Sequence, residues 1–118
     1  QIDSYANIGG ISGVHQFSKI GKYVMVEMCS KIQKDVPPFV LAARVPTRYT
    51  GLNFRGLRRR GFTPDRIEYI KDAYRILYDS GLNVSDAIQK ITEDMEMNDD
   101  ILEIVNFIKK SSRGIIRK

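Results

Sequence analysis

The sequence of 118 residues has few of the side chains that form cross-links and metal sites. It contains one cysteine, Cys29, and one histidine, His15, which excludes an internal disulfide and a metal site built from several cysteines or histidines. It also has no apolar run of about 18 residues, so a transmembrane helix is excluded. The remaining composition, 42% hydrophobic and 28% charged, is typical of a soluble globular chain, and we expect a reducing compartment, the cytoplasm.

Positive charge exceeds negative charge, with 19 lysines and arginines against 14 acidic residues and a formal net charge of +5. This excess indicates anionic partners, such as phosphates, nucleic acid, acidic proteins or anionic lipid. It is concentrated in residues 39–62, a stretch without acidic residues that contains Arg44, Arg48, Arg55, Arg58, Arg59 and Arg60.

The first half of the chain has a period of six. Aliphatic residues recur at six-residue intervals, at Ile2, Ile8, Val14, Ile20, Val26 and Ile32. Small or β-branched residues follow four positions after each of them, at Ala6, Ser12, Ser18, Val24, Ser30 and Val36. An α-helix cannot explain this pattern, because six residues advance about 600° and would scatter the aliphatic side chains around the helix.

A parallel β-helix with three six-residue frames per coil does explain the period. Each aliphatic side chain would point into a narrow prism, and six frames give about two coils. Glycine suits corners that need positive φ or close backbone approach, and this region contains Gly9, Gly10, Gly13 and Gly21. Two coils bury little surface and leave the edge of the first coil open. Since the period is already in phase at Ile2, we expect the chain to be the C-terminal piece of a longer protein, truncated at the N-terminus.

The second half of the chain has different signals. Pro37 and Pro38 end the regular frames, because proline cannot donate to a strand ladder. We therefore divide the chain into a β-helix at 1–38, an arginine-rich connector at 39–62 and an α-helical domain at 63–118. The predicted fold is mixed, β and then α.

Three amphipathic helices are predicted in the C-terminal domain. Thr63 is a suitable N-cap, Pro64 suits the first helical position, and Gly81 would end the first helix. A second helix is predicted to begin near Ser85 and a third near Asn98. Such a three-helix segment could cover the open end of a β-helix and act as its cap.

The stretch IGGISGVHQFSKIGKYVMVEMCSKIQKDVPPFVLAARVP, followed by GLNFRGLRRRGF and the ending SSRGIIRK, closely resembles the C-terminal third to half of the UDP-N-acetylglucosamine O-acyltransferases. The resemblance covers essentially the whole chain. It implies a left-handed β-helix and a cytoplasmic homotrimer. It also implies transfer of a 3-hydroxyacyl group from acyl carrier protein to the 3-hydroxyl of UDP-N-acetylglucosamine, the first step of lipid A biosynthesis, without a metal or organic cofactor and without a nucleic-acid partner.

The resemblance also implies roles for individual residues. His15 would line the substrate groove in a supporting role, and Gln16 would contact the nucleotide sugar; on spacing alone both are exposed surface residues. Asn53 would contact the UDP moiety, and Arg59, with Arg60, would lie near the diphosphate or the phosphopantetheine of the carrier protein. The alternative for these arginines is a solvated basic loop.

Three further implications concern the acyl chain of the donor, the contacts to the nucleotide and the catalytic base. Met28 occupies a position that would limit acyl chain length; the alternative is gap-filling in a trimer interface. Arg55 departs from the family pattern, which has an acidic residue two positions after the asparagine, so the uridine or ribose contacts there are in doubt. The general base of the family is a histidine in an earlier coil, so this chain alone is expected to be inactive.

Two other functions stay open. One is another hexapeptide acyltransferase of the same pathway, although GLRRRGF and the helical tail argue against it. The other is of a different class, an anionic-lipid or nucleic-acid binding module that uses the arginines of 44–60. That module would need exposed aromatic residues among the arginines, which Tyr49 and Phe54 only partly provide.

Overall fold

The computed structural model describes residues 1–8, 13–14, 18–26, 31–32, 34–43, 47–112 and 114–118. Within these residues, short strands come first and helices follow. The strands are β1 (Asn7–Ile8), β2 (Gly13–Val14), β3 (Met25–Val26), β4 (Lys31–Ile32), β5 (Val40–Ala43) and β6 (Arg48–Leu52). The helices are α1 (Phe54–Arg59), α2 (Pro64–Asp79), α3 (Val84–Asp94) and α4 (Asp99–Lys109). The chain is therefore mixed, β and then α, as the sequence predicts.

The strands of the first half stack in parallel at a constant register. β1 pairs with β3 and β2 with β4, and an isolated bridge extends the pattern to the N-terminus. Each of the six periodic aliphatic residues is paired with the one 18 positions away, as Ile2 with Ile20, Ile8 with Val26 and Val14 with Ile32. Because 18 residues are three frames of six, the predicted three frames per turn of the prism are confirmed.

The next turn of the prism is two residues shorter. Ile20 pairs with Val36 and Val26 pairs with Ala42, so the offset is 16 instead of 18. The parallel stack also continues beyond Pro38, because β5 pairs with β3. The two prolines lie at a corner between strands, where no ladder N–H is required of them. The range 39–62, expected to be a connector, therefore contains β5, β6 and α1.

Aromatic residues occupy one corner of three successive turns. Tyr5, Tyr23 and Phe39 have φ angles of 60°, 59° and 72°, a left-handed conformation that is costly for residues other than glycine. Their rings stack, with centroids 5.1 Å apart for Tyr5 and Tyr23 and 5.8 Å apart for Tyr23 and Phe39. Phe62 packs edge-on against Tyr23 at 5.0 Å. Stacking across the turns offsets the backbone cost.

Gly21 allows two turns of the chain to approach closely. A Cβ atom at Gly21 would lie 2.5 Å from the nitrogen and 2.7 Å from the Cα of Pro38. Of the two expectations for this glycine, close approach therefore applies, and the positive φ angles belong to the aromatic corner residues.

The three predicted helices are present, with the expected starts. Thr63 Oγ1 accepts a hydrogen bond from the N–H of Arg66 and caps α2, which begins at Pro64. Asn83 caps α3 and Asn98 caps α4 in the same way. A fourth helix, α1, precedes them. The apolar face of α2 is buried, as its spacing predicts, at Ile67, Ile70, Tyr74 and Leu77. Among the described residues, none of the helices is both long enough and apolar enough to cross a bilayer.

The C-terminal segment joins the end of the stack. Ile115 forms a parallel bridge with Asp35, and Arg117 forms one with Arg48 of β6. The Asp35 carboxylate accepts hydrogen bonds from the N–H of Lys19 at 2.8 Å and from the hydroxyl of Ser111. Asp35 thus links the stack to the residues that follow α4.

Replacing Gly21 by alanine should destabilise the chain. The new methyl group would overlap with backbone atoms of Pro38, which cannot move without displacing β5. We expect the free energy of unfolding to fall by about 1–3 kcal/mol, the usual cost of overpacking. Urea and thermal denaturation of the 118-residue chain measure it. Asp3, the equivalent residue 18 positions earlier, provides the control: Asp3→Ala should change stability by at most about 0.5 kcal/mol. Equal stability of the two variants would contradict the close approach.

Candidate functional site

A groove runs along the outer face of the sheet formed by β1, β3 and β5. Asn7 pairs with Met25, and Met25 pairs with Leu41, so these three side chains form one column across the strands. Their neighbours Val26 and Ala42 are fully buried. Because side chains alternate between the two faces of a strand, the column of Asn7, Met25 and Leu41 points outward. It forms the floor of the groove.

Helix α1 and the end of β6 close one side of this groove. The cavity has a volume of about 830 Å³, within the range of small-molecule sites. Its described lining combines an apolar floor with a polar wall: Asn7, Ile8, Met25, Leu41, Leu52, Asn53, Phe54, Arg55, Gly56 and Arg59. The structure thus brings together Asn53 and Arg59, two of the residues predicted to bind substrate.

Asn53 fixes the position of the wall. Its Oδ1 accepts a hydrogen bond from the N–H of Gly56 at 3.2 Å and caps α1, while its Nδ2 donates to the carbonyl of Tyr23 at 3.0 Å. Its own N–H donates to the carbonyl of Phe39 at 2.8 Å. A Cβ atom at Gly56 would overlap with the Asn53 amide, lying 2.8 Å from its Cγ. A primary amide has two N–H donors, and the hydrogen bond to Tyr23 uses one of them.

Arg55 and Arg59 give the wall its charge. They lie four residues apart on α1, and both side chains line the groove. The intervening Leu57 points the other way and is fully buried. The described lining contains no carboxylate, so the groove presents two guanidinium groups beside an apolar floor.

The other two arginines of this region have different surroundings. The guanidinium carbon of Arg58 lies 5.9 Å from the ring centroid of Phe54. That of Arg60 lies 4.3 Å from the ring centroid of Tyr5, over the first aromatic corner. Neither arginine is among the described lining residues of the groove. Of the three consecutive arginines, Arg59 therefore lines the groove, Arg58 lies near Phe54 and Arg60 lies over Tyr5.

Several predicted residues lie outside the described residues. These are His15, Gln16, Met28, Cys29 and Arg44, so the roles expected of them stay predictions. Among the residues that are described, no group of three histidine, cysteine or acidic side chains could hold a metal ion.

A second basic surface lies beside β6 and α2. Arg48, Lys71, Arg75 and Lys118 surround a depression of about 510 Å³. Part of this charge is neutralised, because Lys118 Nζ lies 2.6 Å from a carboxylate oxygen of Asp79 and Arg75 pairs with Asp72 at 2.8 Å. The surface is therefore cationic, but its ion pairs make its net charge smaller than the four basic side chains alone would give.

Three stacked tyrosines underlie this second surface. The ring of Tyr49 lies 4.4 Å from that of Tyr78 and 5.5 Å from that of Tyr74, measured between centroids. The hydroxyl of Tyr74 donates to the carbonyl of Pro38, and that of Tyr78 donates to the carbonyl of Ile116. Burial raises the pKa of Tyr49 to about 12, and it also raises the pKa of Tyr74 and of Tyr78.

The sequence identifies Arg55 only as a departure from a family pattern and does not place it in the groove. The reason is that the sequence analysis does not predict helix α1. Once Asn53 is recognised as an N-cap three residues before Gly56, the spacing of four places Arg55 and Arg59 on one face. The N-cap residue was the available signal.

Comparison with known proteins identifies the family to which the chain is similar. A family profile described as UDP-N-acetylglucosamine O-acyltransferase, domain 2, matches residues 35–116. The acyl-(acyl-carrier-protein)–UDP-N-acetylglucosamine O-acyltransferase of Burkholderia mallei (strain SAVP1) is 42% identical over 121 residues, covering 99% of this chain and 46% of the relative. The protein of the same name from Thiobacillus denitrificans is 38% identical, with 99% and 45% covered.

Solved structures are similar over the same extent. The UDP-N-acetylglucosamine acyltransferase of Bacteroides fragilis 9343 is 45% identical, with a TM-score of 0.85 over 98% of this chain and 43% of that one. The corresponding Francisella novicida structure is 37% identical, with a TM-score of 0.93 over 99% and 43%. The chain therefore spans slightly less than half the length of these relatives.

Removing the Asn53 side chain should cost more stability than removing an ordinary helix cap. Asn53→Ala loses the cap of α1 and also the link to the Tyr23 carbonyl. The matched control is Asn83→Ala, which loses only the cap of α3. We expect about 1 kcal/mol for Asn83→Ala and about 2–3 kcal/mol for Asn53→Ala, measured by urea denaturation. Equal losses would show that the link to Tyr23 contributes nothing.

Alkaline pH should unfold the chain as the buried tyrosines ionise. An unfolded tyrosine has a pKa of about 10. Because folding raises the pKa of Tyr49, Tyr74 and Tyr78, their contribution to stability is complete below about pH 10 and is lost as pH rises towards 12 and above. The loss of folded structure, followed by circular dichroism, and the ionisation of these three tyrosines, followed by phenolate absorbance, should occur over the same pH range. In Tyr78→Phe, the loss of stability with pH should be smaller. Full ionisation of all six tyrosines near pH 10 in a folded chain would contradict this prediction.

Proposed function

Because this chain belongs to the family of UDP-N-acetylglucosamine O-acyltransferases, we propose that it supplies the C-terminal part of such an enzyme and binds the nucleotide-sugar acceptor. The reaction would transfer a 3-hydroxyacyl group from acyl carrier protein to the 3-hydroxyl of UDP-N-acetylglucosamine, the first step of lipid A biosynthesis. The observation that carries this proposal is the groove in which Asn53 and Arg59 stand at the end of an apolar floor.

The groove suits the parts of a nucleotide sugar. A guanidinium group donates two parallel hydrogen bonds to phosphate oxygens, so Arg59 would bind the diphosphate. The other N–H of the Asn53 amide would bind the uridine or ribose. His15 and Gln16 would contact the sugar from the neighbouring outer surface of the prism. Arg60 would act at the edge of this site, near the diphosphate or the phosphopantetheine of the donor.

The chemistry needs little from this part of the protein beyond binding and orientation. The sugar hydroxyl attacks the thioester carbonyl, a base takes its proton, and the carrier thiol leaves. The base would be a histidine of an earlier coil, so the 118 residues alone would be inactive. Since the thioester is already an activated acyl donor, a base and a positioned hydroxyl suffice, and no metal or organic cofactor is required.

The finer features of the assembly belong to the same proposal. The prism would be left-handed, with about two coils in this chain, and three copies would form a cytoplasmic homotrimer with grooves between neighbouring prisms. Met28 would limit the length of the acyl chain that such a groove accepts. The parallel register of 18 residues supports the three-sided prism alone. The handedness, the trimer and the role of Met28 rest on the resemblance to the family.

The second basic surface is proposed to meet the donor. Acyl carrier protein is acidic, and complementary charge raises the rate at which two proteins meet. Arg48 and Lys71 supply positive charge there, and the half-buried Tyr49 lines the same depression. Arg44 would extend this surface.

The proposal can be tested in a chimera in which these 118 residues replace the matching part of the Burkholderia mallei relative. The chimera should transfer the acyl group, and Arg59→Ala should lower kcat/KM for UDP-N-acetylglucosamine by about 10- to 100-fold, as expected for a lost charge-assisted hydrogen bond. Arg58→Ala is the matched control, because it removes the adjacent charge outside the groove, and it should retain nearly full activity.

Two outcomes would contradict the proposal. One is an active chimera that is indifferent to Arg59→Ala. The other is a wild-type chain that does not bind the nucleotide sugar but binds single-stranded DNA at physiological salt, which would favour a nucleic-acid binding module.

A further inference from the structure

Arg55 and Arg59 are an unusual pair on α1. Residues four apart on a helix are neighbours on its surface, with Cβ atoms about 5–6 Å apart, and like charges at this spacing destabilise a helix. Both side chains line the groove, and the first turn of α1 has no acidic residue to offset them.

The other cations around α1 have partners. Arg58 and Lys71 each lie 5.9 Å from the ring centroid of Phe54, and Arg60 lies over Tyr5. Arg66 donates two hydrogen bonds to the Asp100 carboxylate, at 2.6 and 2.8 Å. Within the described part of the chain, Arg55 and Arg59 form no ion pair and no hydrogen bond through their side chains, and the lining they share has no carboxylate.

Two guanidinium groups that line one groove without a carboxylate in its described lining suit a ligand with two linked anionic groups. Each guanidinium can hold one phosphoryl group through a pair of parallel N–H donors. A pair of like charges that the protein itself does not neutralise is expected at sites where a bound ligand supplies the opposite charge. Here the missing partner would be a diphosphate.

We propose that Arg55 is a second diphosphate ligand and forms with Arg59 a two-arginine clamp in the groove. The identity of the nucleotide rests on the proposed function, but the clamp itself requires only a diphosphate. Arg55 thereby determines specificity for the anionic part of the acceptor, in place of a contact to its uridine or ribose. Because the diphosphate is remote from the reacting hydroxyl, Arg55 should act on binding and KM and leave kcat nearly unchanged.

Calorimetric titration of the 118-residue chain with inorganic pyrophosphate, UDP and uridine tests the clamp. Arg55→Gln should weaken binding of pyrophosphate and of UDP about tenfold, as expected for one lost charge-assisted contact, and should leave uridine binding unchanged. Arg55→Lys, which keeps the charge without the planar fork, should have an intermediate effect. Arg58→Gln is the matched control for general electrostatics and should bind all three ligands like the wild type.

The outcomes separate the clamp from the proposed function. Pyrophosphate binding that depends on Arg55, in a chain whose chimera transfers no acyl group, would support the clamp and count against the acyltransferase proposal. Equal binding by Arg55→Gln and wild type, equal losses in Arg55→Gln and Arg58→Gln, or no pyrophosphate binding at all would overturn the clamp. A loss confined to 4′-phosphopantetheine, titrated in parallel, would assign Arg55 to the donor and would also overturn it.

Discussion

Backbone pairing between successive turns of the prism is the constraint on which the rest of this structure depends. The N–H of Ile20 donates to Gln1, Gly21 donates to Val36, and Val36 donates to Lys19, each at 2.7 or 2.8 Å across one turn. This ladder keeps equivalent side chains in columns about 4.8 Å apart. The inward column forms the apolar core, and the outward column of Asn7, Met25 and Leu41 forms the groove floor. Core and site floor therefore follow from the same hydrogen bonds.

The end of the stack and the wall of the groove are also the same structure. A parallel stack exposes unpaired backbone groups at its last turn, and these must be covered. Here β6 turns back against β5, and Asn53 satisfies the carbonyls of Phe39 and Tyr23 before α1 begins. The residue that ends the pairing is thus the residue that places α1 and its arginines at the groove. A change that loosens the cap would for this reason also displace the site.

The sequence predicts the parts of the fold that repeat and the parts that follow helix-capping rules. The six-residue period gives the register of 18, and Thr63 and Asn98 mark their helices correctly. It does not predict the shorter turn, because the loss of two residues before Val36 leaves no local signal. Nor does it predict positive φ at Tyr23, since stacking between rings of successive turns, far apart in the sequence, outweighs the local preference. Helix α1 is too short, at six residues, to show an apolar period, so the sequence indicates it only through its N-cap, Asn53.

The distribution of paired charges explains why the formal charge of +5 matters at one place more than at others. Two cations that face the helices are paired with carboxylates: Glu103 accepts a hydrogen bond from Lys22 and raises the pKa of that amine, and Asp100 does the same for Arg66. Such pairs cancel at a distance and attract little. Arg55 and Arg59 form no ion pair within the described part of the chain, and both line one groove beside its apolar floor, so their positive charges add there. The groove therefore offers an anionic ligand two guanidinium groups that no carboxylate of its described lining neutralises.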